Sequence, residues 1–352
     1  MRASEAATVT VFGAYGHTGR FVVAELLDRG LTPILSGRDE NRLAALAGEF
    51  PGVEVRTATV DDAASLDRAL EGATAVINAA GPFAATAGPV VEAALRAGIP
   101  YVDVAAEVEA VADTFAHFGD RAREAGVTVV PAMAFYGGLG DLLATAALGA
   151  EPAAEEVTIA YALSSWHPTA GTQKSTVVSR GRREGRRLVY ADGALRLRTD
   201  DAPTGRWTFP DPIGDKAVIG EFTTADSVTV PHHLSAPVVN TYMTVEAVKD
   251  VVAADAIAPE PVDERGRSAQ TFLVDVTVTA GGTRRRAVAS GQDIYAVTAP
   301  LAVEALVRIL DGRVKATGLG SAGEMFDAHD FLTSLAPHVS YELSAGEILT
   351  AS

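Results

Sequence analysis

The chain has 352 residues, a formal net charge of −16 at pH 7 and no cysteine. Its length suits two domains better than one, and a hydrophobic fraction of 48% is ample for packed cores. The acidic surplus argues against nucleic acid and against anionic membrane surfaces, because both need a basic face. The lack of cysteine excludes disulfides, thiolate metal sites and a cysteine nucleophile. The start of the sequence is short and charged, so we expect no signal peptide. No apolar run approaches the roughly 18 residues that span a bilayer, so we expect no membrane span and a cytoplasmic location.

In residues 1–150, short apolar segments alternate with helical patterns that Gly or Asp punctuates. The predicted strands are Val9–Phe12, Pro33–Ser36, Val53–Thr59, Ala75–Asn78, Tyr101–Val104 and Val127–Val130. The predicted helices are Arg20–Arg29, Asn41–Glu49, one that ends at Gly72, one with Pro89 in its first turn that ends at Gly98, and Val108–Ala125. Short Val, Ile and Ala strands between helices indicate an α/β fold with a doubly wound parallel sheet of the Rossmann type.

The pattern changes after residue 150. Val157–Leu163 and Phe272–Val278 alternate like strands with one buried face, and Gly281-Gly282 predicts the turn of an antiparallel hairpin. We therefore predict a second α+β domain over residues 151–297, built on a mostly antiparallel sheet. Late helices follow at Thr298–Leu310 and Asp327–Leu335, in a third segment of residues 298–352.

A glycine-rich turn follows the first strand and opens the first helix. The usual dinucleotide fingerprint has glycines at its first, third and sixth positions; here Ala14, Gly16 and Gly19 hold that register, and Gly13 stands one place earlier. Glycine lets the main chain approach a pyrophosphate, and the helix directs free N–H groups at it. The alternative is an ordinary βα loop. The predicted cofactor-binding residues of this turn are Gly13, Tyr15, Gly16, His17, Thr18 and Gly19.

The second strand ends in Ser36-Gly37-Arg38, where an NAD-type site has Asp or Glu. A Ser hydroxyl and an Arg guanidinium both bind phosphate, so these residues favour NADPH over NADH. Two alternatives stay open: Asp39 reaches a ribose or caps the next helix, and Arg38 is a solvated surface charge.

Two more loops lie at the carboxyl ends of strands, where ligands of open α/β sheets bind. Asp61 follows the third strand on the predicted adenine side. The loop after the fourth strand lies at the predicted nicotinamide end, unless Asn78 only caps a turn. Its residues are Asn78, Ala79, Ala80, Gly81 and Pro82.

Three residues are candidates for the chemistry, because a hydride acceptor also needs a nearby proton donor. Tyr136 lies in a Gly-rich turn after the sixth strand, and His167 and Lys174 lie in a loop and a helix start of the second domain. The alternatives are a hinge aromatic for Tyr136 and an ordinary histidine for His167. Adjacent His232 and His233 are expected in a loop, with side chains that point apart, so no metal site is predicted.

Five motifs together resemble the saccharopine dehydrogenase-like NADP-binding reductases, in particular the saccharopine dehydrogenase and trans-acting enoyl reductase branch. They are Gly13–Arg20, Ser36–Arg38, Asn78–Phe83, Pro89–Ala94 and Gly98–Asp103. The resemblance implies an NADPH-dependent reductase of imines or enoyl groups, an inserted substrate domain, C-terminal helices that fold back on the Rossmann domain, and a homodimer as one assembly. The stretch Ala134–Asp141 departs from the family's usual Gly-Phe-Asp pattern.

The sequence thus leads to one hypothesis with one alternative. The first is an enzyme that uses NADPH, rather than NADH, to reduce a C=N, C=O or C=C bond in a small or carrier-bound metabolite. The alternative is an NADP(H)-binding sensor or accessory protein without turnover of its own.

Overall fold

The computed structural model describes residues 7–253 and 256–348. The first sheet has six parallel strands in the order β3-β2-β1-β4-β5-β6. Its strands are β1 (Thr8–Phe12), β2 (Thr32–Gly37), β3 (Glu54–Thr57), β4 (Ala75–Asn78), β5 (Tyr101–Asp103) and β6 (Val129–Val130). Its helices are α1 (His17–Asp28), α2 (Glu40–Glu49), α3 (Ala63–Leu70), α4 (Phe83–Ala97) and α5 (Val108–Ala125). This is the predicted doubly wound sheet.

The second sheet has nine strands in the order β10-β11-β12-β7-β13-β14-β15, with the β8–β9 hairpin attached to β12. Its strands are β7 (Glu156–Leu163), β8 (Arg187–Ala191), β9 (Ala194–Arg198), β10 (Thr204–Thr208), β11 (Asp215–Gly220), β12 (Val239–Thr244), β13 (Thr271–Ala280), β14 (Thr283–Gln292) and β15 (Val339–Ile348). All its pairs are antiparallel except β12 with β7. The predicted glycine hairpin joins β13 to β14, and Gly281 and Gly282 both have positive φ.

After β6, the described residues contain seven further helices. They are α6 (Gly140–Leu148), α7 (Ala170–Arg182), α8 (Asp226–His233), α9 (Val245–Val252), α10 (Thr298–Leu310), α11 (Ala322–Met325) and α12 (Ala328–Ser334), and a π-helical turn (Phe135–Leu139) precedes α6. Helix α10 packs against α1, and Glu304 of α10 pairs there with Arg29. The largest hydrophobic core runs through both sheets, from Val9 to Val339. The two halves of the chain are therefore joined by shared packing.

Helix α4 begins earlier than the sequence predicts. Pro89 lies inside the helix, not in its first turn, because the helix starts at Phe83. The buried Glu107 carboxylate accepts hydrogen bonds from the backbone N–H groups of Phe83 (2.8 Å) and Ala84 (3.2 Å). A carboxylate at this position satisfies the free donors and the positive end of the helix. This cap comes from 24 residues further along the chain, where no local pattern reveals it.

The C-terminal segment also differs from the prediction of helices alone. Residues 339–348 form β15, which pairs with β14 at the edge of the second sheet. Val339 is buried and Tyr341 packs on the core, so the start of this strand presents one face inward, whereas Leu343 further along is exposed. The strand covers the polar edge that β14 would otherwise expose. The chain therefore passes from the second domain to helices on the first and back again.

Candidate cofactor and active site

The turn between β1 and α1 is tightly packed, and two of its glycines, Gly13 and Gly19, have no room for a Cβ atom. Gly13 has φ +87°, and a Cβ there would come within 2.7 Å of the Ala80 backbone nitrogen. A Cβ on Gly19 would overlap the carbonyl oxygen of Gly13. Gly13 therefore lets the β4–α4 loop approach the turn, and Gly19 lets α1 close on it. Gly19 thus has the packing role that the fingerprint assigns to its last glycine, whereas Gly13, one place before the first fingerprint position, admits the β4–α4 loop.

The N-terminus of α1 is open. Its cap residue Gly16 supplies no side-chain acceptor, and the first turn contains no acidic residue. Among the described residues, none accepts a hydrogen bond from the backbone N–H groups of His17, Thr18 and Gly19. By contrast, α2, α3, α7 and α12 have side-chain caps, from Asp39, Asp62, Thr169 and Asp327 respectively. Free N–H groups at the positive end of a helix bind phosphate.

Two polar side chains at the end of β2, Ser36 and Arg38, also lack partners among the described residues. The Ser36 hydroxyl is fully buried and has no hydrogen-bond partner among the described residues. Arg38 is exposed and forms no ion pair within the described part of the chain. Asp39 caps α2 through the backbone N–H of Arg42, which is one of the two roles considered for it. An orphaned buried hydroxyl beside an unpaired guanidinium fits a phosphate-bearing cofactor.

The β4–α4 loop is held by its own side chains. Asn78 is buried; its Oδ1 accepts from the Ala80 backbone N–H (3.0 Å), and its Nδ2 lies 3.2 Å from the Tyr101 hydroxyl oxygen. Asn78 therefore shapes the turn, as the alternative interpretation has it. Ala79, Ala80 and Pro82 are partly exposed, and the Gly81–Pro82 peptide bond is cis. Asp61, on the adenine side, is exposed.

Tyr101 and Asp103 point to the same side of β5, since residues two apart on a strand share a face. The Tyr101 hydroxyl donates to Asp103 Oδ2 (2.8 Å). Asp103 also accepts from the backbone N–H groups of Ala105 and Ala132. Burial raises the pKa of Asp103 to about 6. Through these bonds Asp103 fixes the backbone at Ala105 and Ala132, at the carboxyl edge of the sheet.

Tyr136 lies in the π-helical turn and belongs to a cluster of aromatic rings. Its ring centre is 5.0 Å from that of Tyr161 and 5.6 Å from that of Trp166. Among the described residues, its buried hydroxyl has no hydrogen-bond partner. Burial raises the pKa of Tyr136 well above its ordinary value, and Tyr295 and Asp226 add to the effect. The hydroxyl therefore stays protonated at neutral pH and can donate.

Tyr295 links this cluster to the glycine turn. Its hydroxyl oxygen lies 3.3 Å from Trp166 Nε1 and 3.0 Å from the Thr172 hydroxyl oxygen, and its ring packs edge-on against His17, with ring centres 5.3 Å apart. Burial lowers the pKa of His17, so the imidazole is neutral, and its Nε2 atom has no partner among the described residues. Sequence reasoning missed Tyr295, because nothing local marks it.

The other two catalytic candidates lie in different surroundings. The carbonyl oxygen of His167 accepts from the Tyr295 hydroxyl (3.4 Å), and the residue is half-buried. Lys174 is exposed on α7 and lies in its second turn, not its first, because the Thr169 cap starts the helix at Ala170. Helix α7 does reach the predicted nicotinamide end: a Cβ on Gly81 would lie 3.0 Å from Ser175 Oγ. It is anchored to α5 by the hydrogen bond between Ser179 and Glu109.

Asp226 is a buried acid that the sequence did not single out. Its Oδ2 accepts from the Tyr161 hydroxyl (2.8 Å), and its Oδ1 accepts from the Gly137 backbone N–H (3.2 Å). It thereby ties α8 of the second domain to the turn that carries Tyr136. Burial raises the pKa of Asp226 to about 6. The carboxylate positions both aromatic side chains, Tyr136 through the turn and Tyr161 directly.

This shift makes stability depend on pH. Because the folded-state pKa of Asp226 exceeds the unfolded value of about 3.9, the folded protein binds the proton more tightly. The stabilisation that the protonated Asp226 carboxyl gives the folded state is fully present below about pH 4 and is lost as the pH rises through about 6. From pH 4 to 7, we expect the unfolding free energy of the wild type, minus that of Asp226→Asn, to fall by about 2 kcal/mol.

Urea denaturation at a series of pH values measures this difference. Asp120→Asn is the matched control, since the Asp120 side chain is 85% exposed. A wild-type minus Asp226→Asn difference that stays constant from pH 4 to 7 would contradict the assignment.

The two adjacent histidines lie in the last turn of α8, not in a loop. His233 Nε2 lies 2.7 Å from Asp141 Oδ1, and although burial opposes the charge, Asp141 raises the pKa of His233. His232 instead packs on the ring of Phe115. Within the described residues, no group of three or more His, Asp or Glu side chains is placed to hold a metal ion. In the same residues, no helix has the length and apolarity to cross a membrane.

The sheet order and the glycine turn give the first domain the architecture of the Rossmann class, whose members bind dinucleotides at this edge of the sheet. Residues 9–130 match the family model of the saccharopine dehydrogenase NADP binding domain. This match confirms the resemblance that the sequence motifs suggest over the first domain.

Two curated relatives share that region. The probable mitochondrial saccharopine dehydrogenase-like oxidoreductase of Arabidopsis thaliana is 34% identical over 142 residues, 36% of this chain and 31% of the relative. The lipid droplet localized protein of Caenorhabditis elegans is 33% identical over 136 residues, 35% of this chain and 32% of the relative. The alignments thus span about a third of the length of these proteins.

The second domain is matched by structure. Apo saccharopine dehydrogenase (L-Glu forming) from Saccharomyces cerevisiae superimposes with a TM-score of 0.63 and 14% identity, over 96% of this chain and 100% of that chain. At this identity the match shows the fold alone. It confirms a Rossmann-like sheet joined to a second mixed sheet.

Proposed function

We propose that this protein is an NADPH-dependent reductase of a C=N, C=O or C=C bond in a small or carrier-bound metabolite. The observation that carries the proposal is the open α1 N-terminus beside the orphaned Ser36 hydroxyl and the unpaired Arg38. The family match over residues 9–130 and the names of the curated relatives support the same activity.

In this proposal each part of the site has one task. The N–H groups of His17–Gly19 bind the pyrophosphate, and Ser36 and Arg38 bind the 2′-phosphate. Bound NADPH supplies the hydride, which is the demanding part of the chemistry. The small residues Ala79 and Ala80 leave room for the nicotinamide riboside, and α7 shields that end from water.

Tyr136 is the proton donor that we propose for the reduced product. What supports it over the other two candidates is a buried hydroxyl without a partner among the described residues and a raised pKa. The hydroxyl lies in the ring cluster that Tyr295 connects to His17 of the cofactor turn. Asp226 and Tyr161 hold the donor in place.

Two measurements test the function. Calorimetry establishes whether NADPH binds, and absorbance at the reduced nicotinamide band follows its consumption with a panel of imines, ketones and enoyl thioesters. Turnover with any of these supports the reductase. Tight binding without turnover across the whole panel favours the sensor or accessory role instead. A cytoplasmic location and a homodimer are further proposals, which fractionation and light scattering address.

The cofactor preference depends on Arg38. We expect Arg38→Ala to weaken NADPH binding by about 1.5–3 kcal/mol and to leave NADH nearly unchanged, because a charged hydrogen bond to the 2′-phosphate is lost. Calorimetry with both cofactors measures the two affinities. Arg68→Ala, an exposed arginine on α3, is the control. Equal NADPH affinity in Arg38→Ala and the parent would remove the phosphate assignment.

A further inference from the structure

A stacked pair of side chains, Arg42 over Tyr15, lies between the glycine turn and the end of β2. The guanidinium carbon of Arg42 is 4.4 Å from the centre of the Tyr15 ring, and its Nη2 lies 3.4 Å from the Tyr15 carbonyl oxygen. Tyr15 packs in turn on Gly37, where a Cβ would come within 2.7 Å of Tyr15 Cε1. Gly37 follows the orphaned Ser36, so the pair adjoins the proposed 2′-phosphate position.

The arginines near this position differ in what they bind. Arg20, on α1, forms an ion pair with Glu49 at the end of α2. Arg38 and Arg42, in contrast, form no ion pair with any residue in the ranges 7–253 and 256–348. A guanidinium commonly pairs with a carboxylate, and Glu40 lies in the same first turn of α2. Arg42 instead lies over Tyr15, which leaves donors of its planar group free.

The first turn of α2 and the residues just before it carry charges of both signs. Arg42 is the third residue of the helix, and Arg38 lies just before its cap Asp39. Asp39 and Glu40 lie at the same end and offset part of this positive charge, but neither forms an ion pair with Arg38 or Arg42 among the described residues. The fully buried Ser36 hydroxyl, without a partner among the described residues, is an independent sign of a missing acceptor or donor at this place.

We propose that Arg42 is a second ligand of the 2′-phosphate and that stacking on Tyr15 holds it in position. This inference rests on the proposed function, because it needs NADPH as the ligand. Arg38 and Arg42 then contact the phosphate from two sides, and Arg42 contributes to the preference for NADPH over NADH. Tyr15 is a positioning residue, since its ring orients a guanidinium that touches the cofactor.

The proposed roles of Arg42 and Tyr15 predict different losses of NADPH affinity when each residue is replaced. Arg42→Ala weakens NADPH binding about tenfold to a hundredfold and changes NADH binding less than about twofold, because only the phosphate contact is lost. Arg42→Lys keeps the charge but not the planar stack, and retains part of the preference. Tyr15→Leu removes the stack and weakens NADPH about fivefold. Tyr15→Phe keeps both the ring and the backbone carbonyl oxygen, and binds NADPH like the parent.

Isothermal titration calorimetry of the full chain with NADPH, NADH, 2′,5′-ADP and 5′-AMP tests these expectations. Arg68→Ala, an exposed arginine on α3, is the matched control, and urea denaturation of each variant shows that folding is retained. The inference predicts that Arg42→Ala loses affinity for NADPH and 2′,5′-ADP together, while the NADH and 5′-AMP affinities stay.

Three results would overturn it. NADPH binding by Arg42→Ala equal to that of the parent removes Arg42 from the site, although the proposed function survives. Equal losses for NADPH and NADH show that Arg42 supports the fold or the adenine, not the phosphate. No binding of NADPH or 2′,5′-ADP to the parent itself overturns the proposed function and, with it, the role of Arg42.

Discussion

Gly16→Val is expected to weaken NADPH binding about 100-fold, or about 3 kcal/mol. Gly16 is the cap residue of α1, at the point where the proposed cofactor's pyrophosphate would meet the main chain. An isopropyl group there would cover the free N–H groups of the first turn and hold the phosphates away from them. Calorimetry with NADPH measures the loss.

The fold should tolerate this change. Gly16 has φ −68° and ψ 161°, an extended conformation that valine adopts readily. A Cβ at Gly16 would be 3.1 Å from the Gly13 carbonyl oxygen, so the turn must shift by a few tenths of an ångström, and urea denaturation of Gly16→Val shows whether folding is retained. The control is Gly48→Val on α2, where a Cβ meets nothing within 4 Å. Unchanged NADPH affinity in Gly16→Val would show that the cofactor does not lie on this turn.

Arg308→Ala is expected to lower the free energy of unfolding by about 3–5 kcal/mol. Arg308 is 2% exposed; it pairs with Glu304 (2.7 Å) and Asp330 (2.7 Å) and lies over the ring of Phe331. Its removal leaves the Glu304 carboxylate buried with less compensation, and it leaves a cavity beside the ring. Urea denaturation with linear extrapolation measures the change.

The control for this prediction is an exposed ion pair. Arg123 contacts Asp120 on the surface of α5, with side chains 70% and 85% exposed. Arg123→Ala should cost less than about 1 kcal/mol, because solvent screens such a pair. If the two variants lose similar stability, the buried network does not join α10 to α12 in the way described. Glu304 also pairs with Arg29, so Arg308→Ala further tests the contact between α10 and the first domain.

The elements with local signals were predicted well. The six strands of the first sheet, the glycine turn and the β13–β14 hairpin all follow from short-range features, namely apolar runs, helix caps and glycines with positive φ. Helices α5 and α10 match their predicted limits, Val108–Ala125 and Thr298–Leu310. For these elements, the signals that define both the structure and its limits lie within the segment itself.

The candidate site was predicted only in part. The glycine turn and the Ser36–Arg38 segment could be recognised, because a phosphate needs donors at a fixed distance along one βα unit. Asp226, Tyr295 and Arg42, which the structure adds to the candidate site, could not, since each contacts a partner far from it in the chain. Asp226 reaches Gly137 from 89 residues away. A buried acid of this kind looks, in sequence, like any helix-start acid.

The sequence by itself determined the parallel sheet and the position of the glycine turn, and it is the source of the proposed preference for a cofactor with an additional phosphate. Those properties depend on backbone freedom and hydrogen-bonding groups that lie within about 30 residues of each other. Only the tertiary structure decided where α4 begins, which sheet receives residues 339–348 and which rings surround Tyr136. Those outcomes depend on contacts between distant segments, because burial and charge pairing form only when the chain has closed.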